Sequence, residues 1–157
     1  MEYNLTIFAD YFQIEIEDSN SIASHMPKFD KEEMTSLLSV GKGVLNVFTV
    51  RNMNVPLKIA VLAIKPDIDI KEYDQVVEAS ITISSGILSI YNAMEYPDNL
   101  LEFRIPAGIY QALIGYQGLD TISEDGLEGN DAYTVFLWQN DTSIEKKIIK
   151  EWVNSPY

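Results

Sequence analysis

The sequence predicts an all-β fold, an antiparallel β-sandwich with one short internal helix and a C-terminal helix. Three observations carry that expectation. Short apolar runs recur along the chain, separated by Gly, Pro, Asn and Asp. The runs are rich in Val, Ile, Phe and Tyr, which suit a pleated, half-buried surface. One run alternates with period two, placing Phe12, Ile14 and Ile16 on one face and Gln13, Glu15 and Glu17 on the other.

The first run spans Asn4 to Glu17, with a bend expected at Asp10-Tyr11. Residues 18–26 are polar and small and read as a loop. Asp30-Lys31-Glu32-Glu33 is a capping box, in which Asp30 caps the helix and Glu33 reaches back. Met34, Leu37 and Leu38 then share a helical face, and Gly41 and Gly43 end the helix. Val44–Val50 is a strand. Val55–Ile64 is almost wholly apolar between Pro56 and Pro66, as expected of a strand buried on both faces. Val76–Ser84 follows, Ser85-Gly86 reads as a tight turn, and Gly86–Tyr91 reads as the hairpin partner. Residues 93–99 read as a loop around Pro97.

Leu100–Ile105 and Ile109–Gln117 are strands flanking Pro106-Ala107-Gly108. Gly118–Asp131 is a long, glycine-rich, acidic loop before the strand Ala132–Gln139. Thr142-Ser143-Ile144-Glu145 is a second capping box. Ile144, Ile148 and Trp152 recur every four residues behind it, predicting a terminal helix over about 143–153 with Lys146, Lys147 and Lys150 on its polar face. No repeat or linker divides the chain, so a single domain over 1–157 is expected, with core strands at about 4–139.

Charge narrows the function classes. The 157 residues carry 24 Asp+Glu against 11 Lys+Arg, a net charge of −13. Such a chain repels phosphate, which argues against direct nucleic-acid binding and against an anionic membrane surface. A cationic protein partner fits the field. Cysteine is absent, which excludes disulfides, a thiolate nucleophile and Cys-ligated zinc. The chain opens without a secretory pattern and holds no apolar run of the ~18 residues that a membrane span needs. The expectation is a cytoplasmic protein, monomeric or a weak homodimer.

The residue pattern points to binding rather than catalysis. The only histidine, His25, lies in the polar segment Ser24-His25-Met26-Pro27, with no nucleophile and orienting acid in a recognisable pattern. Gly41-Lys42-Gly43 is too short to cradle phosphate. No cofactor is expected. The loop 118–131 instead gathers Asp120, Glu124, Asp125, Glu128 and Asp131, with no basic residue among them. Calcium favours oxygen-rich loops, so a calcium-dependent binding module is the alternative. The EF-hand spacing is not met, however, and no metal ligands are assigned. A flexible acidic loop at one end of a rigid sandwich suits docking into a basic cleft, and these five carboxylates are the first candidates for partner contact. Glu15, Glu17 and Asp18 are read as a second exposed acidic patch at a strand end.

Three stretches together resemble the bacterial competence protein J family, the inhibitors of the DNA-entry nuclease, and related immunity proteins of polymorphic toxin systems. They are Tyr11-Phe12-Gln13-Ile14, Ile105-Pro106-Ala107-Gly108-Ile109-Tyr110, and Tyr133-Thr134-Val135-Phe136-Leu137-Trp138. The resemblance runs over roughly residues 5–139 and includes neither the tail after Asn140 nor the long acidic loop. It implies a β-sandwich that binds a cognate protein toxin or nuclease and blocks it, in keeping with the residue pattern, from which no enzyme is expected. No inhibitory residue carries over by motif, so the site residues rest on charge alone.

Overall fold

The computed structural model describes every residue except 23, 93–97 and 99, so the expected loop at 93–99 lies almost wholly outside the described residues. The chain forms two β-sheets. The strands are β1 (Glu2–Phe8), β2 (Gln13–Asp18), β3 (Leu38–Gly41), β4 (Val44–Phe48), β5 (Asn54–Leu62), β6 (Gln75–Ile83), β7 (Ile87–Tyr91), β8 (Leu101–Arg104), β9 (Gly108–Gln117), β10 (Ala132–Gln139) and β11 (Lys147–Lys150). The larger sheet runs β1-β5-β10-β9-β6-β11 and the smaller β3-β4-β2-β7-β8. Neighbours are antiparallel except β5 and β10, which are parallel.

One apolar cluster joins the two sheets. Ile14, Ile16, Val47 and Ile90 enter it from the smaller sheet, and Leu57, Ile59, Val77, Ile114 and Val135 from the larger. Each such side chain contributes about 1.5–3 kcal/mol when fully buried. A second cluster lies on the far side of the larger sheet, where Tyr73 packs with Val76, Leu113, Phe136 and Trp138. It covers Ala60, so β5 is buried on both faces only at Ile59 and Ala60; Val61 and Leu62 stay partly exposed, and the N-terminal half exposes Asn54 and Pro56.

The short helix forms as expected, as α1 (Lys31–Ser36). Asp30 Oδ1 accepts from Glu33 N at 2.9 Å, and Glu33 Oε2 accepts from the Lys28 and Phe29 amides, both at 2.7 Å. The helix ends earlier than its apolar pattern implied. Leu37 takes a left-handed conformation, and Leu38 begins β3, which pairs with β4. Packing of Leu37 and Leu38 into the shared core outweighs the helical period.

The expected terminal helix is a strand. β11 pairs with β6, Lys147 opposite Glu78 and Ile148 opposite Val77, with a bulge before Lys150. A four-residue spacing is even, so Ile144, Ile148 and Trp152 also lie on one side of an extended chain. The open edge of β6 supplies hydrogen bonds that a helix there would leave unused. The hairpin expected at Ser85-Gly86 is also corrected. β6 belongs to the larger sheet and β7 to the smaller, so this turn carries the chain between sheets.

The exposed patch expected at Glu15, Glu17 and Asp18 is buried, with 6%, 1% and 1% of their surfaces accessible. β2 is the middle strand of its sheet, and its second face is covered as well as its first. His25 contributes to that cover. Its Nε2 lies 2.8 Å from Ser39 Oγ, which sits in the same cross-strand row as Asn46 and Glu15. Asp18 turns towards the sheet-crossing turn, where its carboxylate accepts from the Ser84 and Ser85 amides, both at 3.0 Å, and from both hydroxyls. Burial raises its pKa, but these serine bonds outweigh burial and hold the carboxyl below its ordinary value.

Glu15 has the opposite balance. Burial, aided by the charges of Glu17 and Asp10, pushes its carboxyl up from an ordinary 4.5 to about 8. Its Oε2 is buried without a hydrogen-bond partner among the described residues, as is the Asn46 Oδ1 opposite. Between about pH 4.5 and 8 the folded protein therefore keeps a proton on Glu15 that the unfolded chain has already released. Stability falls as pH rises through that window, by roughly 2–4 kcal/mol. Urea unfolding at either end of it checks this. Glu15→Gln should flatten the slope there, and an unchanged slope would place the carboxyl in water.

Candidate binding surface around the acidic loop

The loop 118–131 leaves β9 and returns as β10, the central antiparallel pair of the larger sheet. Its two ends meet at Gly118, which has φ +68°, and a Cβ there would lie 2.2 Å from Asn130 O. Only glycine fits that conformation and that approach. The loop is not the loose segment its glycines led us to expect. Ser123 N donates to Glu128 O at 2.8 Å, Gly126 N to Ser123 O at 2.9 Å, and Asn130 N to Thr121 Oγ1 at 2.8 Å. Asp125 Oδ1 accepts from Ser123 Oγ at 2.6 Å and from Leu127 N at 3.0 Å. The Ser123 bond is the main reason that the Asp125 carboxyl lies below its ordinary value.

A buried network fastens the loop to the sheets. Asp131 is fully buried and its Oδ1 accepts from Arg51 Nε at 2.5 Å. Its Oδ2 accepts from the Tyr133 hydroxyl at 2.7 Å, and Tyr133 Oη accepts from Val50 N at 2.9 Å. Arg51 Nη1 reaches the Leu127 carbonyl at 3.2 Å, near the loop's tip. Burial and the Asp131 charge both raise the Tyr133 pKa, so the phenol stays a donor. A second tie joins the loop to the tail. Asp120 accepts from the Trp152 indole N–H at 2.9 Å and from Asn154 Nδ2 at 3.0 Å.

The five loop acids therefore separate by position. Asp131 is consumed in the ion pair and cannot face a partner. Asp120 is exposed but tied to the tail. Asp125 is exposed and turned into its own loop. Glu124 and Glu128 are exposed, and their carboxylates have no partner among the described residues. The five do not converge on one point, and among the described residues no group of three or more His, Asp or Glu could hold a metal ion. Glu15, Glu17 and Asp18 lie on the smaller sheet, apart from this loop.

Sequence reasoning missed Arg51, Tyr133 and Trp152 as the residues that hold the loop. The available signal was a lone arginine following an apolar run, in Val50-Arg51-Asn52. Removing one partner of a buried pair leaves an uncompensated charge, so Asp131→Ala should cost about 3–5 kcal/mol. Arg51→Met combined with Asp131→Leu should recover a substantial part of that loss in denaturant unfolding. A loss below about 1 kcal/mol for the single change is what an exposed pair would give instead.

No protein-family model matches this chain, and no curated protein matches it in sequence. Two solved structures share its fold. ComJ from Bacillus subtilis, an inhibitor of the DNA-degrading activity of NucA, superposes with a TM-score of 0.66 at 16% identity, over 89% of this chain and 96% of ComJ. The product of crocagin biosynthetic gene J superposes with a TM-score of 0.57 at 18% identity, over 88% of this chain and 96% of that one. At these identities the likeness establishes the fold: two β-sheets in the arrangement of ComJ.

Proposed function

We propose that this protein is an inhibitor or immunity protein that binds a nuclease or nuclease-like toxin and blocks it with an acidic surface. The observation that carries this reading is the display on the loop 118–131. Glu124, Asp125 and Glu128 stand in solvent with no basic residue in the loop, on a fold that ComJ also uses. A nuclease cleft is built to attract a polyanion, so carboxylates on a fixed loop compete with DNA where phosphates would lie. The net charge of −13 adds a long-range field that accelerates encounter with a cationic protein.

Burial refines the contact set. Glu124 and Glu128 face the partner in this reading, and the exposed but internally bonded Asp125 and Asp120 add to the charge of the same surface. Asp131 holds the loop, and Glu15, Glu17 and Asp18 act within the smaller sheet. Catalysis is not part of the proposal, and no cofactor is required for a protein that acts by occupying another's site.

The test is inhibition of DNA degradation by purified bacterial nucleases, NucA among them. Stoichiometric inhibition of one of them, weakening with added salt, is the expected result. A Glu124→Gln/Glu128→Gln variant should lose about tenfold in association rate while unfolding at the same denaturant concentration. Equal inhibition by the variant would remove the loop from the interface. Failure to inhibit any nuclease would remove the function.

A further inference from the structure

Tyr11, Phe12, Phe29 and Tyr157 are between 49% and 63% exposed, and they are the exposed aromatic residues among those described. All four line one groove. Met34, Leu37 and Phe48 form its floor, and Phe29 stacks on Phe48 with ring centroids 5.3 Å apart. This depression has a volume of about 200 Å³. It continues past Phe12, Thr49 and Tyr157 into a second of about 210 Å³, walled by Leu119, Ile122 and Trp152. Leu119 and Ile122 belong to the acidic loop, so the groove runs to its base.

The backbone around the groove is unusual. Tyr11, Phe12, Phe29 and Leu37 are the described non-glycine residues with positive φ, at 53° to 58°, and all four line it. These are conformations that L side chains adopt rarely. At Leu37 that conformation ends α1, whereas Tyr11, Phe12 and Phe29 carry it with their rings exposed. Strain gathered in one place, with rings left in water, is typical of a surface shaped for contact.

We propose that this groove is the apolar anchor site for the basic protein partner, taking an aromatic or aliphatic side chain that is flanked in the partner by Lys or Arg. The proposal rests on the reading that the acidic loop meets such a partner. Charge complementarity selects the occupant. The loop that forms the groove's far wall presents Glu124, Asp125 and Glu128 and no base, and Asp120 is fixed beside Trp152 on that wall. A second copy of this chain would bring the same negative field against it, whereas a cationic segment would be drawn in. Exposed carboxylates give rate and orientation but little net affinity, and a buried apolar anchor supplies what they lack.

The test uses synthetic probes. One is a short Lys/Arg peptide with a single central phenylalanine, and the other has alanine in its place. Affinity is read by fluorescence anisotropy, and the site by NMR shifts of Met34, Leu37 and Thr49. The phenylalanine peptide should bind about tenfold more tightly and shift those residues. Phe12→Ser should bring it down to the alanine peptide, and Tyr11→Ser should repeat that effect if Phe12→Ser lowers stability. A Glu124→Gln/Glu128→Gln variant should weaken both peptides alike. Equal binding of the two peptides, with shifts confined to residues 118–131, overturns the groove and leaves the acidic surface standing. No binding of either overturns both. Self-association through the groove, seen as concentration-dependent shifts without peptide, overturns the occupant.

Discussion

The Arg51–Asp131 ion pair holds together the parts on which the proposed function depends. It joins the connection before β5 to the last residue of the acidic loop, and through Tyr133 it also reaches the backbone at Val50. Two buried charges are costly to desolvate, and the cost is offset only where their remaining donors and acceptors are satisfied. Here both Asp131 oxygens accept bonds, and the second arm of Arg51 extends to Leu127. The arrangement spends one acid to hold the others in place.

That division of labour explains an uneven charge distribution. Three carboxylates on or beside the smaller sheet are absorbed by structure: Asp18 fixes the turn between sheets, Glu33 closes the start of α1, and Glu15 is held protonated at neutral pH by burial. Those at the loop's outer part are left to solvent. A loop organised by its own hydrogen bonds keeps its charges in one arrangement, so binding need not order it first. The adjacent aromatic groove fits the same design, with apolar contact beside a charged rim.

Much of the fold was legible in the sequence. β9 and β10 read almost to the residue because apolar runs bounded by Gly108 and by the acidic loop are local signals. Asp30 and Glu33 identified the start of α1 for the same reason. Errors arose where the deciding interaction is distant. β11 forms because β6 offers an edge some 70 residues earlier in the chain, Lys147 pairing with Glu78, and four-residue spacing suits either conformation. The period-two pattern of β2 predicts a half-buried strand, because nothing in that segment shows that it lies mid-sheet under a second cover. In the site, Asp131 cannot be told from Asp120 or Asp125 by composition. Its partner is 80 residues away, and only the fold distinguishes the acid that holds the loop from those that are displayed.

The acidic loop is a fixed structure whose end is fastened to the sheets by the buried Arg51–Asp131 pair. Backbone 15N relaxation over residues 118–131 tests it most directly. Order parameters should lie near the ~0.85 of rigid backbone at Ser123, Gly126, Leu127 and Asn130 in the native protein and fall towards ~0.6 in a folded Asp131→Asn variant. Values below about 0.6 in the native protein, or values unchanged in that variant, would contradict it.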